Sequence, residues 1–582
     1  MPGPALLKPS RGAPPAPGGV RATRHLPDAS VICLAAAVAG SGAYLLILQS
    51  HLTFFGDDWM FLLDRQGTSV AAFLDPHNGH IALAPVAIYK ALLALFGMDS
   101  ALPFQVVSTL VFLLSAVLLF AYLRTRVGDW PALLGCLLIL FLGAAWRDLL
   151  WSFQIGYFGA IAAGIAALLA LERDDRRGDL LACALLVVAT AFSELGIAFA
   201  VGALVNAAGG AWRRRLPSLF MRRLYVGLLP ILLYGIWYLG WGHTAARSAS
   251  FHNLFNSPKF IFDSIAENIV SLLGLATPFS SVNLETLGGL NLGRILLVTA
   301  IGLSVWRLWR MERPSHWLWV VVAVGGTFWF LTALNADLFR TPVSGRYQYP
   351  GAIFVLLIAA ELLRGVRLGT RAVTASAAVT AAAAISGVIF LHDGYTFKKG
   401  QDDNLRARLA ALEIGRGHES PNLIFSFHLL IPRSASSYFS AVDEYGSPAP
   451  SEHQLARSAV TGRVAADLQL VSEEAIKLTP VAGGAGKGAP ASADCHTPNS
   501  PQAGLALAPG RYILSERKLP GAPQLGVPVQ TARFSDGPAA NVGLLRPGGR
   551  ATISFPHDNS NRPWRLYSPL AGAVTVCKLQ QG

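Results

Sequence analysis

The feature that most constrains this chain is a series of apolar segments too long for a soluble core. Residues 29–50 contain no charged side chain. At about 1.5 Å per residue, about 20 such residues cross the roughly 30 Å hydrocarbon layer of a bilayer. Similar segments recur near 102–123, 130–146, 156–171, 179–194, 195–211, 223–241, 293–309, 317–334, 347–363 and 371–391. Only 14% of the 582 residues are charged and 53% are hydrophobic, against about 25% charged in soluble domains. The mean hydropathy is +0.45. These observations predict a polytopic α-helical membrane protein with about eleven transmembrane helices.

A formal net charge of +13 would suit a nucleic-acid binder, but its distribution argues otherwise. The basic residues form short clusters between apolar segments, which is the pattern of the positive-inside rule. One set of loops holds Arg124, Arg126, Arg173, Arg176, Arg177, Arg213, Arg214, Arg215, Arg222, Arg307, Arg310, Arg313, Arg364, Arg367 and Arg371. The alternate loops hold far fewer, namely Arg147, Arg247, Lys259, Arg340 and Arg346. With Arg21 and Arg24 ahead of the first span, the N-terminus is expected in the cytoplasm and the C-terminus outside, in a multi-pass plasma-membrane protein. The Pro-, Gly- and Arg-rich residues 1–28 read as a disordered cytoplasmic tail. Residues 81–97 carry Pro85 and Lys90 within an apolar run. Counting them as a span would upset the charge alternation, so they read as an interfacial helix in the first outer loop. Residues 260–270 have helical periodicity and suggest a second interfacial or re-entrant helix, with Asp263 and Glu267 on its solvated face.

The expected membrane domain covers residues 29–392. Residues 393–477 read as an extracytoplasmic connecting region and 478–502, rich in Gly, Ala, Ser and Pro, as a flexible linker. Residues 503–582 hold short alternating runs at 511–515, 551–555 and 572–577 between turn residues, the signature of a small, mainly β, sandwich-like domain. Cys33, Cys136 and Cys183 fall in apolar segments, where cysteine packs as a small hydrophobe. Cys495 and Cys577 lie in the polar C-terminal part and could pair in an oxidising compartment. No Cys/His spacing resembles a zinc site.

Chemistry concentrates after the first span. Residues 54–59 read Phe-Phe-Gly-Asp-Asp-Trp and residues 75–80 read Asp-Pro-His-Asn-Gly-His. Polar groups at a lipid–water boundary are tolerated where they line a cavity or reach water. Either Asp57 or Asp58 could instead cap the helix starting near Trp59. A late loop, residues 335–350, brings Arg340, Arg346 and Tyr347 to the same side. The arginine fork matches phosphate oxygens bidentately.

A span, an acidic pair, a His/Pro-containing stretch, an apolar helix ending Leu95-Phe96-Gly97 and a span ending in Arg and Gly together resemble the GT-C glycosyltransferases. These membrane enzymes take sugar from a polyprenyl-phosphate carrier. The match is closest to the aminoarabinose-transferase and protein-mannosyltransferase-like branch, over residues 30–128. The stretch Ser344-Gly345-Arg346-Tyr347 is similar in kind to a carrier-phosphate site. The resemblance implies a GT-C-like, inverting glycosyltransferase of the cell envelope. Asp58 or Asp57 would activate the acceptor or hold a divalent cation (Mg or Mn), with Arg346 and Arg340 on the donor phosphate. Asp75, His77, His80, Gln154 and Tyr347 would lie near substrate, although the His-Pro-Pro run common in the family is absent. Trp151 could stack on a sugar, and Glu194 is either a site residue or a helix-pair partner. The partners implied are a polyprenyl-phosphate-linked sugar, the bilayer and a glycan, lipid or protein acceptor, with no nucleic acid. The competing classes are a transporter or flippase of envelope lipids, expected to carry mid-membrane charges and repeated halves, and a non-catalytic envelope protein.

Overall fold

The structure is a computed structural model that describes residues 29–215, 217–245, 249–280, 283–418, 423–427, 432–481, 495–498, 500–517 and 526–579. The expected N-terminal tail therefore lies outside the described residues. The first half is helical: α1 (Ala29–Gln49), α2 (Asp57–Asp64), α3 (Val70–Leu74), α4 (Leu83–Phe96), α5 (Leu102–Val127), α6 (Asp129–Leu140), α7 (Trp146–Leu149) and α8 (Ile155–Leu171). There follow α9 (Arg176–Phe192), α10 (Leu195–Arg214), α11 (Pro217–Gly240), α12 (Phe251–Leu272), α13 (Leu290–Arg310), α14 (His316–Leu334), α15 (Gln348–Leu362) and α16 (Thr370–Ile414).

Among the described residues seven helices are individually long and apolar enough to cross a bilayer, or eight if the bent pair at 129–149 is one span. The expected count of about eleven exceeds this: α9 and α15 have 17 and 15 residues, and the apolar part of α10 covers only Leu195–Ala211. Charge shortens α9, which opens on Arg176, Arg177 and Asp179. Helix α16 passes close against the bend after α6. A Cβ on Gly143 would lie 1.9 Å from the Gly387 carbonyl oxygen, and one on Gly387 would lie 1.9 Å from that of Phe141. Helix α16 thus crosses the break backbone to backbone, as small residues permit in membrane bundles.

Helix α12 corrects one expectation. Asp263 and Glu267 do not face solvent; they are 4% and 0% exposed. Arg294 of α13 pairs with Asp263 at 2.7 Å. Gln348 Oε1 accepts from Asn268 Nδ2 (2.8 Å) and Ser271 Oγ (3.1 Å). Phe251 and Phe255 are instead exposed. The helix is amphipathic with its polar face inward, which suits apolar rather than aqueous surroundings.

Residue 393, where the membrane domain is expected to end, lies inside a helix. Helix α16 runs unbroken through it for 45 residues and packs on α19 (Val460–Glu473), beyond α17 (Ala435–Tyr445) and α18 (Glu452–Ala456). The segment expected as a linker supplies two short edge strands, Thr479–Pro480 and Cys495–His496. Thr479 and Pro480 pair with the strand at 550–555, and Cys495 and His496 pair with that at 574–578. A five-stranded and a four-stranded sheet enclose Leu514, Val529, Ile553, Trp564 and Val576. Cys495 and Cys577 face each other in register and are disulfide-bonded.

A third core binds these parts together. Phe54, Trp59 and Tyr89 from the first loop pack with Leu405 and Leu409 of α16, Phe425, and Tyr438 of α17. The first loop is thus sandwiched between the bundle and the C-terminal region.

Candidate active-site cavity

Five buried or nearly buried residues, 52–56, lead from α1 into α2. Gly56 has φ +51°, and a Cβ there would sit 2.8 Å from the Trp151 ring, so this position needs glycine for both conformation and space. Asp57 and Asp58 open α2. Consecutive helical side chains diverge by about 100°, and the two carboxylates have separate fates.

Asp58 is 1% exposed and does not line the cavity. It accepts hydrogen bonds from the Phe55 N–H (2.9 Å), Ser152 Oγ (3.1 Å) and the Tyr89 hydroxyl. Burial pushes its carboxyl up to about 6 despite these donors and the nearby Lys398 charge. Asp57 keeps 21% of its side chain exposed and lies 3.7 Å from His77 Nε2, while Asn78 Nδ2 donates to its Oδ1 at 3.2 Å. Burial pushes Asp57 up, but His77, Asn78 and the Arg346 charge outweigh it and hold the group below its ordinary value. Asp57 is the ionised member that meets the cavity.

The cavity measures about 1270 Å³ and lies among the loops that join the helices. Phe55, Trp151, Phe153, Tyr157 and Phe397 give it aromatic walls. His77 is anchored beneath Asp57, its ring 4.9 Å from Phe61 and 4.8 Å from Phe153. Across the short turn at 77–80, His80 Nδ1 lies 2.5 Å from Glu194 Oε2 and its Nε2 lies 3.4 Å from an Arg340 nitrogen. Arg340 also pairs with Asp337 at 3.6 Å. Arg346 differs. Its NH2 donates to the Phe339 carbonyl (3.0 Å), its buried Nε has no hydrogen-bond partner among the described residues, and no carboxylate pairs with it there. Burial lowers the Arg346 pKa, but Tyr347, Tyr157, Asp57 and Asp337 outweigh that and hold it above its ordinary value.

Of the sequence-predicted residues, Asp57, His77, His80, Gln154, Arg340, Arg346 and Tyr347 line this cavity, as do Trp151 and Glu194. Asp58 and Asp75 do not: the first is turned into the core and the second is exposed at the end of α3. Asp58 spends its two oxygens on three donors in the core, whereas Asp57 meets the cavity. Among the described residues no group of three His, Cys, Asp or Glu could hold a metal. Sequence reasoning missed Arg147, Tyr157, Asp337 and Arg433 as lining residues. Arg433 comes from the C-terminal region and pairs with Asp64 of α2 at 2.5 Å, a contact with no local sequence signal.

Fold and cavity together define a helical membrane protein with a carboxylate-and-arginine cavity among its loops. It is similar to the crystal structure of ArnT from Cupriavidus metallidurans bound to undecaprenyl phosphate, at 12% sequence identity and a TM-score of 0.42, over 70% of this chain and 84% of that one. No family model and no curated protein matches the chain.

Proposed function

We propose that this protein is a membrane glycosyltransferase that moves a sugar from a polyprenyl-phosphate carrier to a hydroxyl of an extracytoplasmic glycan, lipid or protein. The observation that carries the reading is the meeting, in one cavity, of a carboxylate held below its ordinary pKa, Asp57, with an arginine, Arg346, whose buried Nε has no hydrogen-bond partner among the described residues. The acceptor oxygen attacks the anomeric carbon while its proton passes to Asp57. The bond from that carbon to the carrier phosphate breaks, and the phosphate leaves with the electron pair. Attack opposite the leaving group inverts the anomeric centre. Arg346 receives the departing charge with spare donors already desolvated, where electrostatic stabilisation is strongest. His77 and Asn78 hold Asp57 in place. Trp151 and Tyr157 offer faces to a sugar, and Arg340 is held by Asp337 and His80 at the same rim.

In this reading α6 with α7, and also α9, α10 and α15, join those seven helices as spans. That gives about eleven passes, with the N-terminus in the cytoplasm and the residues after 393 outside. The test is transfer from a panel of labelled polyprenyl-phosphate sugars by purified protein in lipid. Appearance of free polyprenyl phosphate together with a glycosylated acceptor supports the reading. Movement of intact carrier across the bilayer with no sugar transfer would replace it with a transporter.

A further inference from the structure

Residues 52–56, which present Asp57, have no regular structure, yet Thr53, Phe54 and Phe55 are almost entirely buried. Buried peptide groups need partners, and four side chains supply them here. Trp59 Nε1 donates to the Phe54 carbonyl (3.1 Å) and Trp151 Nε1 to the Phe55 carbonyl (2.8 Å). Asp58 accepts from the Phe55 N–H. The fourth partner comes from far along the chain: Asp402 Oδ2 accepts from the Thr53 N–H at 3.0 Å.

Asp402 lies on α16, and Lys398 one turn earlier donates to both its oxygens, at 3.1 and 3.0 Å. The same ammonium sits 4.2 Å from the centre of the Phe55 ring. Lys398 and Asp402 are 2% and 0% exposed, and neither lines the cavity. A buried ion pair is a weak source of stability, because apolar residues of similar volume often serve as well or better. What an apolar pair lacks is an acceptor of fixed direction for the Thr53 N–H.

We propose that Asp402, held in place by Lys398, is a positioning residue: from behind the site it fixes the Thr53–Gly56 strap and thereby sets where the Asp57 carboxylate stands relative to Arg346. This rests on the proposed transferase reading. The strap turns sharply at Gly56 against Trp151, so slack at Thr53 is transmitted to the first residue of α2.

Two double variants separate this role from a merely structural one. Lys398→Met/Asp402→Asn removes both charges and keeps a carbonyl acceptor for Thr53. Lys398→Met/Asp402→Leu removes the acceptor as well. The first is expected to retain kcat within about threefold. The second is expected to lose about 10–100-fold in kcat, since misplacement of about 1 Å can have that effect, with donor KM within about threefold. Hydrogen exchange in the peptide over residues 50–58 should rise only in the second. If the leucine pair does not fold, Lys398→Met/Asp402→Ser carries the same expectation, because its shorter hydroxyl falls short of Thr53. Normal kcat in the acceptor-free variants, or equal loss in both kinds of double variant, would overturn the proposal. Wild-type protein without sugar transfer would sink the transferase reading instead, whatever the exchange experiment gave.

Discussion

Asp57 and Asp58 carry the same side chain at neighbouring positions, and only their direction of departure from α2 separates them. The sequence could announce the pair, and the apolar run after it could announce a helix start. It could not say which residue faces the cavity, because that depends on where Trp151, Ser152 and Tyr89 arrive from other elements. The electrostatics now give a discriminating expectation. Asp57 is held below its ordinary value, about 3.9, by His77, Asn78 and Arg346, so the acidic limb of kcat/KM should lie below about pH 4. A limb near the value of about 6 that burial gives Asp58 would assign the base to Asp58. Asp57→Asn should lower kcat by about 10²–10⁴-fold with little change in donor affinity. Arg346→Ala should raise donor KM, and should lower kcat as well if charge on the phosphate grows in the transition state.

Asp58 also gives an expectation for stability. Its folded value lies above its unfolded one, so its contribution is complete below about pH 4 and is lost as pH rises through about 6. Over that range wild-type protein should lose on the order of 2–3 kcal/mol that Asp58→Asn does not, read as a shrinking difference in Tm.

At the scale of elements, apolar length and arginine clusters were enough to place helices at every expected span. Local patterns also found the alternating strands at 510–516, 550–555 and 574–578. What remained hidden was set by partners distant in sequence. The inward polar face of α12 depends on Arg294 and Gln348, and α16 passes against the bend between α6 and α7. The crossing can be tested directly. Gly143→Ala would place a methyl against the Gly387 backbone, and overpacking of this kind typically destabilises by about 1–3 kcal/mol. Gly40→Ala meets nothing within 4 Å and serves as the control. Thermal unfolding in detergent should show a lower Tm for the first and an unchanged one for the second.

For the whole molecule, the question is which way the cavity faces. Three helices connect it to a second polar cluster. Helices α5, α8 and α15 begin near the cavity, beside Phe104, Gln154 and Tyr347, and end at Arg126, Glu172 and Glu361 respectively. Arg126 Nε lies 2.8 Å from Glu361, and a second Arg126 nitrogen pairs with Glu172. Arg364 adjoins at 3.4 Å from Glu361, and Arg307 donates to the Leu362 carbonyl at 3.2 Å. One end of the bundle therefore gathers Arg126, Arg307 and Arg364, three of the arginines expected on the cytoplasmic side, and the opposite end holds the cavity. Helix α16 starts after Arg364 and Arg367, passes Gly143 at Gly387, and reaches the cavity at Phe397 and Gln401. This carries the disulfide-linked C-terminal sheets to the cavity side, where an oxidising compartment would keep Cys495 and Cys577 joined. In a background lacking Cys33, Cys136 and Cys183, single cysteines at Thr68, Leu338 and Arg177 test the arrangement. An impermeant thiol reagent should label the first two in intact cells and the third only after permeabilisation. Labelling of Arg177→Cys alone would invert the molecule and, with it, place the proposed transfer on the wrong side of the membrane.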